Sequence, residues 1–221
     1  MRYTDICEAV FLDRPNRFIA HVERDGVRET VHVVNTGRCR ELLIPGTRVI
    51  LNRPGTPGRK TEYDLIAVYK NNEMLINIDS MAPNKVVREW LESEGYRNIQ
   101  PEYTYGESRL DFMIGQPDRK MLLEIKGCTL EIGGIGYFPD APTDRGVKHL
   151  KELIRARKDG WDAAVGFVIQ MEGIREVQPN IQTHPEFGAV LEEARENGVK
   201  VFCYLCSVTP QELKITEKIE Q

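Results

Sequence analysis

Apolar and polar positions along the first 80 residues fall into short runs with the period of β-strands. Ile6–Leu12, Arg17–Val22, Thr30–Val34, Thr47–Leu51, Leu65–Tyr69 and Met74–Ile78 are rich in Val, Ile, Leu, Tyr and Phe. Turn-forming residues separate them: Asp13/Pro15/Asn16, Asp25-Gly26, Pro45-Gly46 and the loop from Pro54 to Gly58. Asp-Gly between two strand patterns predicts a tight hairpin. Gly37–Leu43 is the one stretch here with room for a short helix. About five strands with a small helix before the fourth is the plan of an OB-like β-barrel, although an SH3-like barrel produces a similar string.

After Ser80 the period changes. Val86, Val87, Trp90 and Leu91 line one face of a helix over Asn84–Glu94, which Gly95 stops. Strands follow at Glu102–Tyr105, Arg109–Ile114 and Met121–Ile125, then the glycine-rich Gly133–Gly136 loop and a helix over Thr143–Lys158. Ala163–Ile169 is a buried strand, Pro185–Asn197 a helix and Lys200–Val208 a second buried strand. The order αβββαβαβ predicts a mixed sheet with helices on both faces. The chain therefore divides into residues 1–80, an OB-like domain, and 81–221, an α/β domain.

Charge sharpens this picture. The formal net charge is −4. Residues 1–80 carry 12 Lys+Arg against 11 Asp+Glu, and residues 81–221 carry 18 against 23. An acidic second half excludes simple coating of nucleic acid unless some carboxylates hold a cation. The five cysteines are odd in number and scattered, so no disulfide framework is expected, and Cys203-x-x-Cys206 reads as part of a buried strand. Met1–Cys7 has no apolar stretch of the signal-peptide kind and no run is long enough to span a bilayer, so a cytoplasmic protein without a membrane partner is expected. Arg53–Thr61 looks like a phosphate loop only at a glance, because two residues, not four, separate Gly55 from Gly58.

The candidate chemistry lies in Met121-Leu-Leu-Glu-Ile-Lys-Gly. Residues two apart on a strand share a face, so Glu124 and Lys126 point together, opposite Leu123 and Ile125. Charges in an interior strand need a partner or an ion. Asp111, in Ser108-Arg-Leu-Asp-Phe-Met-Ile, stands on the preceding strand, which the short Gly115–Lys120 link makes antiparallel to it. An Asp on one strand and Glu-x-Lys on the next resembles the core of the PD-(D/E)xK nucleases. Asp111, Glu124 and the Ile125 carbonyl offer hard oxygen ligands to Mg²⁺ or Mn²⁺. Lys126 is expected to orient the attacking water or to face the charge that develops on phosphate.

Further candidates surround this set. The helix from Thr143 places Arg145, Lys148, His149 and Glu152 on one polar stripe, with Arg145 and Lys148 expected to hold the phosphodiester, and Asp140 and Thr143 precede it. A fourth carboxylate is sought among Glu89, Glu94 and Glu107. In the first domain Arg38, Arg40, Arg53, Arg59 and Lys60 are expected to contact the nucleic-acid backbone.

The chain also resembles the sugar fermentation stimulation protein A family. The matching segments are Asn35-Thr-Gly, Asn77 with Ala82–Asn84, Ser108-Arg-Leu-Asp-Phe, Glu124-Ile-Lys and the long run from Tyr137 to Leu153. One departure is Gly127-Cys-Thr-Leu, where a Ser is expected after the Lys. The resemblance implies a DNA-binding protein with an OB-like N-terminal domain and a nuclease-like C-terminal domain. Two functions stay open here: Mg²⁺-dependent phosphodiester hydrolysis on DNA or RNA, and DNA-binding regulation of sugar metabolism on a retained nuclease fold. An adaptor for a protein partner fits less well, because it has no need of buried charges.

Overall fold

The structure is a computed structural model that describes residues 1–35, 37–115 and 119–221. Thr36 of the Asn35-Thr-Gly segment and residues 116–118 of the Gly115–Lys120 link lie outside the described residues.

The first half is a barrel. Strands β1 (Ile6–Asn16), β2 (Ile19–Arg24), β3 (Val27–Val33), β4 (Arg48–Asn52), β5 (Asp64–Lys70) and β6 (Met74–Asn77) form one sheet in the order β3-β2-β1-β4-β5-β6. A parallel pairing of β3 with β5, His32 to Asp64 and Val33 to Leu65, curls the sheet on itself. Alternate side chains fill the interior, with Phe11, Val22, Val31, Val49 and Leu65 buried. At the β2–β3 hairpin Asp25 and Gly26 adopt φ of 54° and 77°, the left-handed pair that such a two-residue turn requires. The helix expected over Gly37–Leu43 is not formed. Cys39 takes φ of 45°, and the Leu42 and Leu43 N–H groups both donate to its carbonyl, so the segment closes as turns. Arg14 holds the same segment from outside, donating to the carbonyls of Arg17, Asn35, Gly37 and Arg38 at 2.7–2.8 Å.

The second half is a three-layer α/β unit. Its elements are α1 (Ala82–Ser93), β7 (Asn98–Tyr105), β8 (Ser108–Gly115), β9 (Lys120–Cys128), β10 (Leu130–Ile132), β11 (Ile135–Phe138), α2 (Asp144–Lys158), β12 (Asp162–Ile169), β13 (Val177–Pro179), α3 (Pro185–Glu196), β14 (Lys200–Thr209) and β15 (Glu212–Glu220). The main sheet runs β15-β14-β12-β9-β8-β7, with β9, β12 and β14 parallel and the outer strands antiparallel. Helix α1 lays Ala82, Val86, Val87 and Leu91 against Leu123, Ile125 and Val168 on one face. Helices α2 and α3 cover the other face, where Leu150, Leu153, Phe187 and Leu191 meet Leu122, Val165 and Phe167. The alternation along β9 is the one expected from Met121-Leu-Leu-Glu-Ile-Lys.

Four strands extend the αβββαβαβ reading. The glycine-rich loop is the turn of a β10–β11 hairpin, which β13 joins in a small separate sheet, and β15 adds an edge to the main one. All five cysteines are free. Burial pushes the Cys203 and Cys206 thiols up to about 11 and about 12, so they behave as core residues rather than as a redox pair.

The barrel and the α/β unit are joined through buried polar groups. Ile76 bridges to Met171, the Asn77 N–H donates to the Gln170 carbonyl at 2.9 Å, and the Gln170 amide donates back to Asn77 Oδ1 at 2.9 Å. Tyr3 Oη donates to Asp79 Oδ2 at 3.0 Å in the same seam. No helix among the described residues is long and apolar enough to cross a membrane.

Candidate active site

Strands β8 and β9 part company at the residues singled out above. Their ladder pairs Gly115 with Lys120 and ends at Phe112 opposite Leu123. The next positions are Asp111 and Glu124, and there side chains replace the backbone ladder. The Ile125 N–H donates to Asp111 Oδ2 at 2.7 Å, and the Asp111 N–H reaches Glu124 Oε2 at 3.3 Å. On its other side, β7 pairs Pro101 with Phe112 and Tyr103 with Leu110 but skips Glu102, whose φ is 52°. The strand changes face at this irregularity: Leu110 and Met113 pack into the core under α2, whereas Phe112 and Ile114 pack under α1. Such a break re-aims a side chain. Here it turns the Asp111 carboxylate toward Glu124.

Glu124 is 2% exposed and carries three contacts. Lys126 Nζ donates to Oε1 at 2.6 Å, and His149 Nδ1, from α2, bonds the same oxygen. His149 is itself buried, and its Nε2 accepts from Arg145 Nε at 3.3 Å. The neutral tautomer with the proton on Nδ1 satisfies both partners. Arg145 thus steadies His149, and His149 steadies Glu124, while most of the exposed Arg145 guanidinium stays available to a ligand. Asp111 Oδ1 accepts from Asn84 Nδ2 at 2.7 Å.

The two carboxylates are poised differently. Burial pushes the Asp111 pKa up, the negative charge of Glu124 adds to this, and the bonds from Ile125 and Asn84 only partly offset it. Burial pushes Glu124 the same way, but the His149 hydrogen bond and the Lys126 charge outweigh it and hold Glu124 below the usual range. At neutral pH the site therefore carries a cost in Asp111, which the folded protein protonates more readily than the unfolded chain does. That cost is absent below the ordinary carboxylate range, develops as pH rises from there to the raised pKa, and is fully present above it. Asp111→Asn keeps an acceptor for Ile125 and removes the repulsion. It is expected to raise the cation-free melting temperature by a few degrees at pH 7 and to leave it unchanged near pH 3. A fall in melting temperature at pH 7, read by calorimetric scans, would contradict this.

A half-buried and a buried carboxylate side by side, the first raised in pKa partly by the charge of the second, suit a hard divalent cation. Among the described residues no group of three or more His, Cys, Asp or Glu is arranged to hold a metal. What the site offers is two neighbouring carboxylates, Asp111 and Glu124, hard oxygen donors of the kind that suit a divalent cation able to keep several waters.

Other candidates fall elsewhere. Glu89 pairs with the N-terminal ammonium at 2.6 Å, and Glu94 is the exposed C-cap of α1. Glu107 is in the β7–β8 turn rather than on the strand, and its carbonyl accepts from Lys148 Nζ at 3.1 Å. None of the three completes the site. The group that α1 supplies is Asn84, in its first turn, because that end of the helix lies over the parted strands. Thr143 spends its hydroxyl capping α2 through the Gly146 N–H at 3.0 Å. In the barrel, Arg53 pairs with Glu62 at 2.6 Å and Arg59 with Asp64, so neither presents a free charge, and Lys60 sits exposed on the same loop. Arg38 and Arg40 instead line a cavity of about 430 Å³ together with Arg14 and Arg17, two arginines that the strand pattern gave no reason to single out.

Comparison with known proteins agrees with the two-part fold. Residues 12–78 match the model of the SfsA N-terminal OB domain, and residues 81–212 match that of the sugar fermentation stimulation protein RE domain. A sugar fermentation stimulation protein homolog of Desulfitobacterium hafniense is 53% identical over 97% of this chain and 95% of its own length. A homolog of Clostridium beijerinckii is 47% identical over 100% and 99%. Among solved structures, Pyrococcus furiosus SfsA in complex with Ca²⁺ superposes with a TM-score of 0.82 at 28% identity, covering 100% of this chain and 95% of that one. An OB domain fused to a nuclease-like RE domain supports nucleic-acid binding. On the strength of both domain matches and of near-full-length identity, the chain belongs to the sugar fermentation stimulation protein family.

Proposed function

We propose that the protein is a nucleic-acid-binding phosphodiester hydrolase that uses Mg²⁺ or Mn²⁺ at Asp111, Glu124 and the Ile125 carbonyl. The observation that carries this reading is the parting of β8 and β9 at Asp111 and Glu124, with Lys126 bonded to Glu124. The Ca²⁺ complex of the Pyrococcus relative supports a hard divalent cation in this family.

When bound, the cation supplies an acidified water and positive charge against the phosphate. The protein does the rest. Asn84 and the Ile125 N–H fix Asp111, and His149 fixes Glu124, so neither carboxylate needs to reorganise when substrate arrives. Lys126 Nζ places an ammonium beside the carboxylates, where it meets the charge that grows on the phosphoryl oxygens. Arg145 offers its terminal guanidinium nitrogens to the phosphodiester, a geometry in which Arg is well suited to bidentate contact. Lys148, on the neighbouring turn of α2, is held at the rim by Glu107, whose carbonyl accepts from it at 3.1 Å, and would have to leave that partner to meet a phosphate.

The test is cleavage of single- and double-stranded DNA and RNA with Mg²⁺, with Mn²⁺ and with chelator. Metal-dependent cutting is expected. Nucleic-acid binding without cutting under any of these conditions would favour the second reading, a DNA-binding regulator of sugar metabolism that keeps the fold. The motive for that reading is the exposed arginine-lined cavity of the barrel, whose charges would meet a phosphate backbone without needing the carboxylates.

A further inference from the structure

A second cavity, of about 320 Å³, opens where the barrel meets the α/β unit. It lies just past the carboxyl ends of the parallel strands β9 and β12, which are followed by Thr129 and Gln170. Crevices at the carboxyl ends of parallel strands are where open α/β sheets take their ligands. The cavity also adjoins the carboxylate site through the chain itself. Gly127 follows Lys126, and Pro83 precedes Asn84, and both line it.

Two glycines, on different elements, clear space for two acceptor oxygens. A Cβ on Gly37 would come within 2.6 Å of Asp140 Oδ2, and a Cβ on Gly127 would collide with Gln170 Oε1. The Gln170 side chain is buried, and its amide nitrogen is committed to Asn77 Oδ1 at 2.9 Å and the Asp79 carbonyl at 3.1 Å. That commitment fixes the orientation of the amide and leaves Oε1 as the atom beside Gly127. Phe138 adds an aromatic wall. A carboxylate and a fixed carbonyl oxygen beside an aromatic ring complement a flat heterocycle that presents N–H groups along one edge. Guanine, with its N1–H and 2-amino group side by side, is the base that does so, and only unstacked bases expose that edge. Gly37 lines this cavity and also the one bordered by Arg17, Arg38 and Arg40, so a strand seated here has cationic groups for its phosphates on the barrel side.

We infer that the seam cavity receives an unpaired guanine of a single-stranded nucleic acid, with Asp140 as the residue that reads it. This rests on the nuclease-type reading and names its substrate class.

The test uses fluorescence anisotropy with the full chain and short labelled thymidine strands, in chelator and in Ca²⁺. Each strand carries one central guanine, hypoxanthine, which lacks the 2-amino group, or adenine, and uridine strands form the RNA arm. Wild type is expected to bind the guanine strand about tenfold or more tightly than the hypoxanthine strand. Annealing a complementary strand should remove that preference. Asp140→Asn, nearly isosteric and on an exposed residue, is expected to bring the ratio close to one, because an amide presents a donor to one of the two N–H groups. Its melting temperature checks that the fold is kept. Equal binding of all three strands by wild type overturns the inference while leaving the nucleic-acid reading in place, as does a guanine preference that survives in Asp140→Asn. Failure to bind any strand overturns both.

Discussion

Lys126→Met is expected to slow strand cleavage by about a hundredfold or more while leaving divalent-cation affinity unchanged or slightly tighter. Lys126 Nζ lies 2.6 Å from Glu124 Oε1 with its side chain 13% exposed, so its charge is held close to the carboxylates in a poorly solvated place. An ammonium there repels a cation bound by Asp111 and Glu124, and its removal does not weaken that binding. Cleavage differs, since charge on the phosphoryl oxygens grows as attack proceeds and an ammonium in place needs no reorganisation to meet it. Methionine keeps the apolar stem, so packing against the strand survives. Single-turnover cleavage and isothermal titration with Mn²⁺ separate the two effects. Cutting at the wild-type rate would remove Lys126 from the chemistry. Loss of cation binding in this variant would mean that the lysine acts only by holding Glu124.

Glu124→Gln is expected to abolish divalent binding and, with it, cleavage. Glutamine suits the test better than alanine because its carbonyl oxygen still accepts from His149 and Lys126, which would otherwise be left buried and unpaired. Wild type should gain about 2.7 kcal/mol of stability at a Mn²⁺ concentration 100 times its Kd, since a ligand of the native state alone stabilises by mass action. The variant should gain nothing. Equal Mn²⁺-dependent rises in melting temperature for wild type and Glu124→Gln would place the cation elsewhere.

Much of this was legible from periodicity. The shared face of Glu124 and Lys126 follows from the two-residue repeat of a strand, and the short link after Gly115 made Asp111 their neighbour. The stripe on α2 followed from helical spacing, but its meaning did not. Arg145 and His149 look alike as polar positions on a wheel, yet one is exposed and the other is buried against Glu124. Helical spacing left Glu89 and Glu94 on α1 as open candidates for a related reason. Periodicity says which side of a helix is buried, not which end crosses the site, and here the first turn does, carrying Asn84. Strand β15 was missed because it is an edge strand whose outward positions are charged; Leu213 and Ile215 alone mark its buried face. The absence of a helix over Gly37–Leu43 turns on the left-handed backbone of Cys39, which residue type does not announce.

The arginines of the barrel show the limit of reading charge without geometry. Arg53 and Arg59 sit in a loop that looks basic, yet each is bonded to a carboxylate, Glu62 and Asp64, that the fold brings alongside. Arg14, within a strand, instead holds together the segment that lines both cavities.

The central claim, that Asp111 and Glu124 hold a divalent cation where β8 and β9 part, is tested most directly by anomalous diffraction from crystals equilibrated with Mn²⁺. The expected result is one anomalous peak within coordination distance of both carboxylates and the Ile125 carbonyl, absent from Glu124→Gln crystals treated in the same way. No peak there at saturating Mn²⁺, or a peak bound by other residues while these two carboxylates keep only their protein partners, would contradict it.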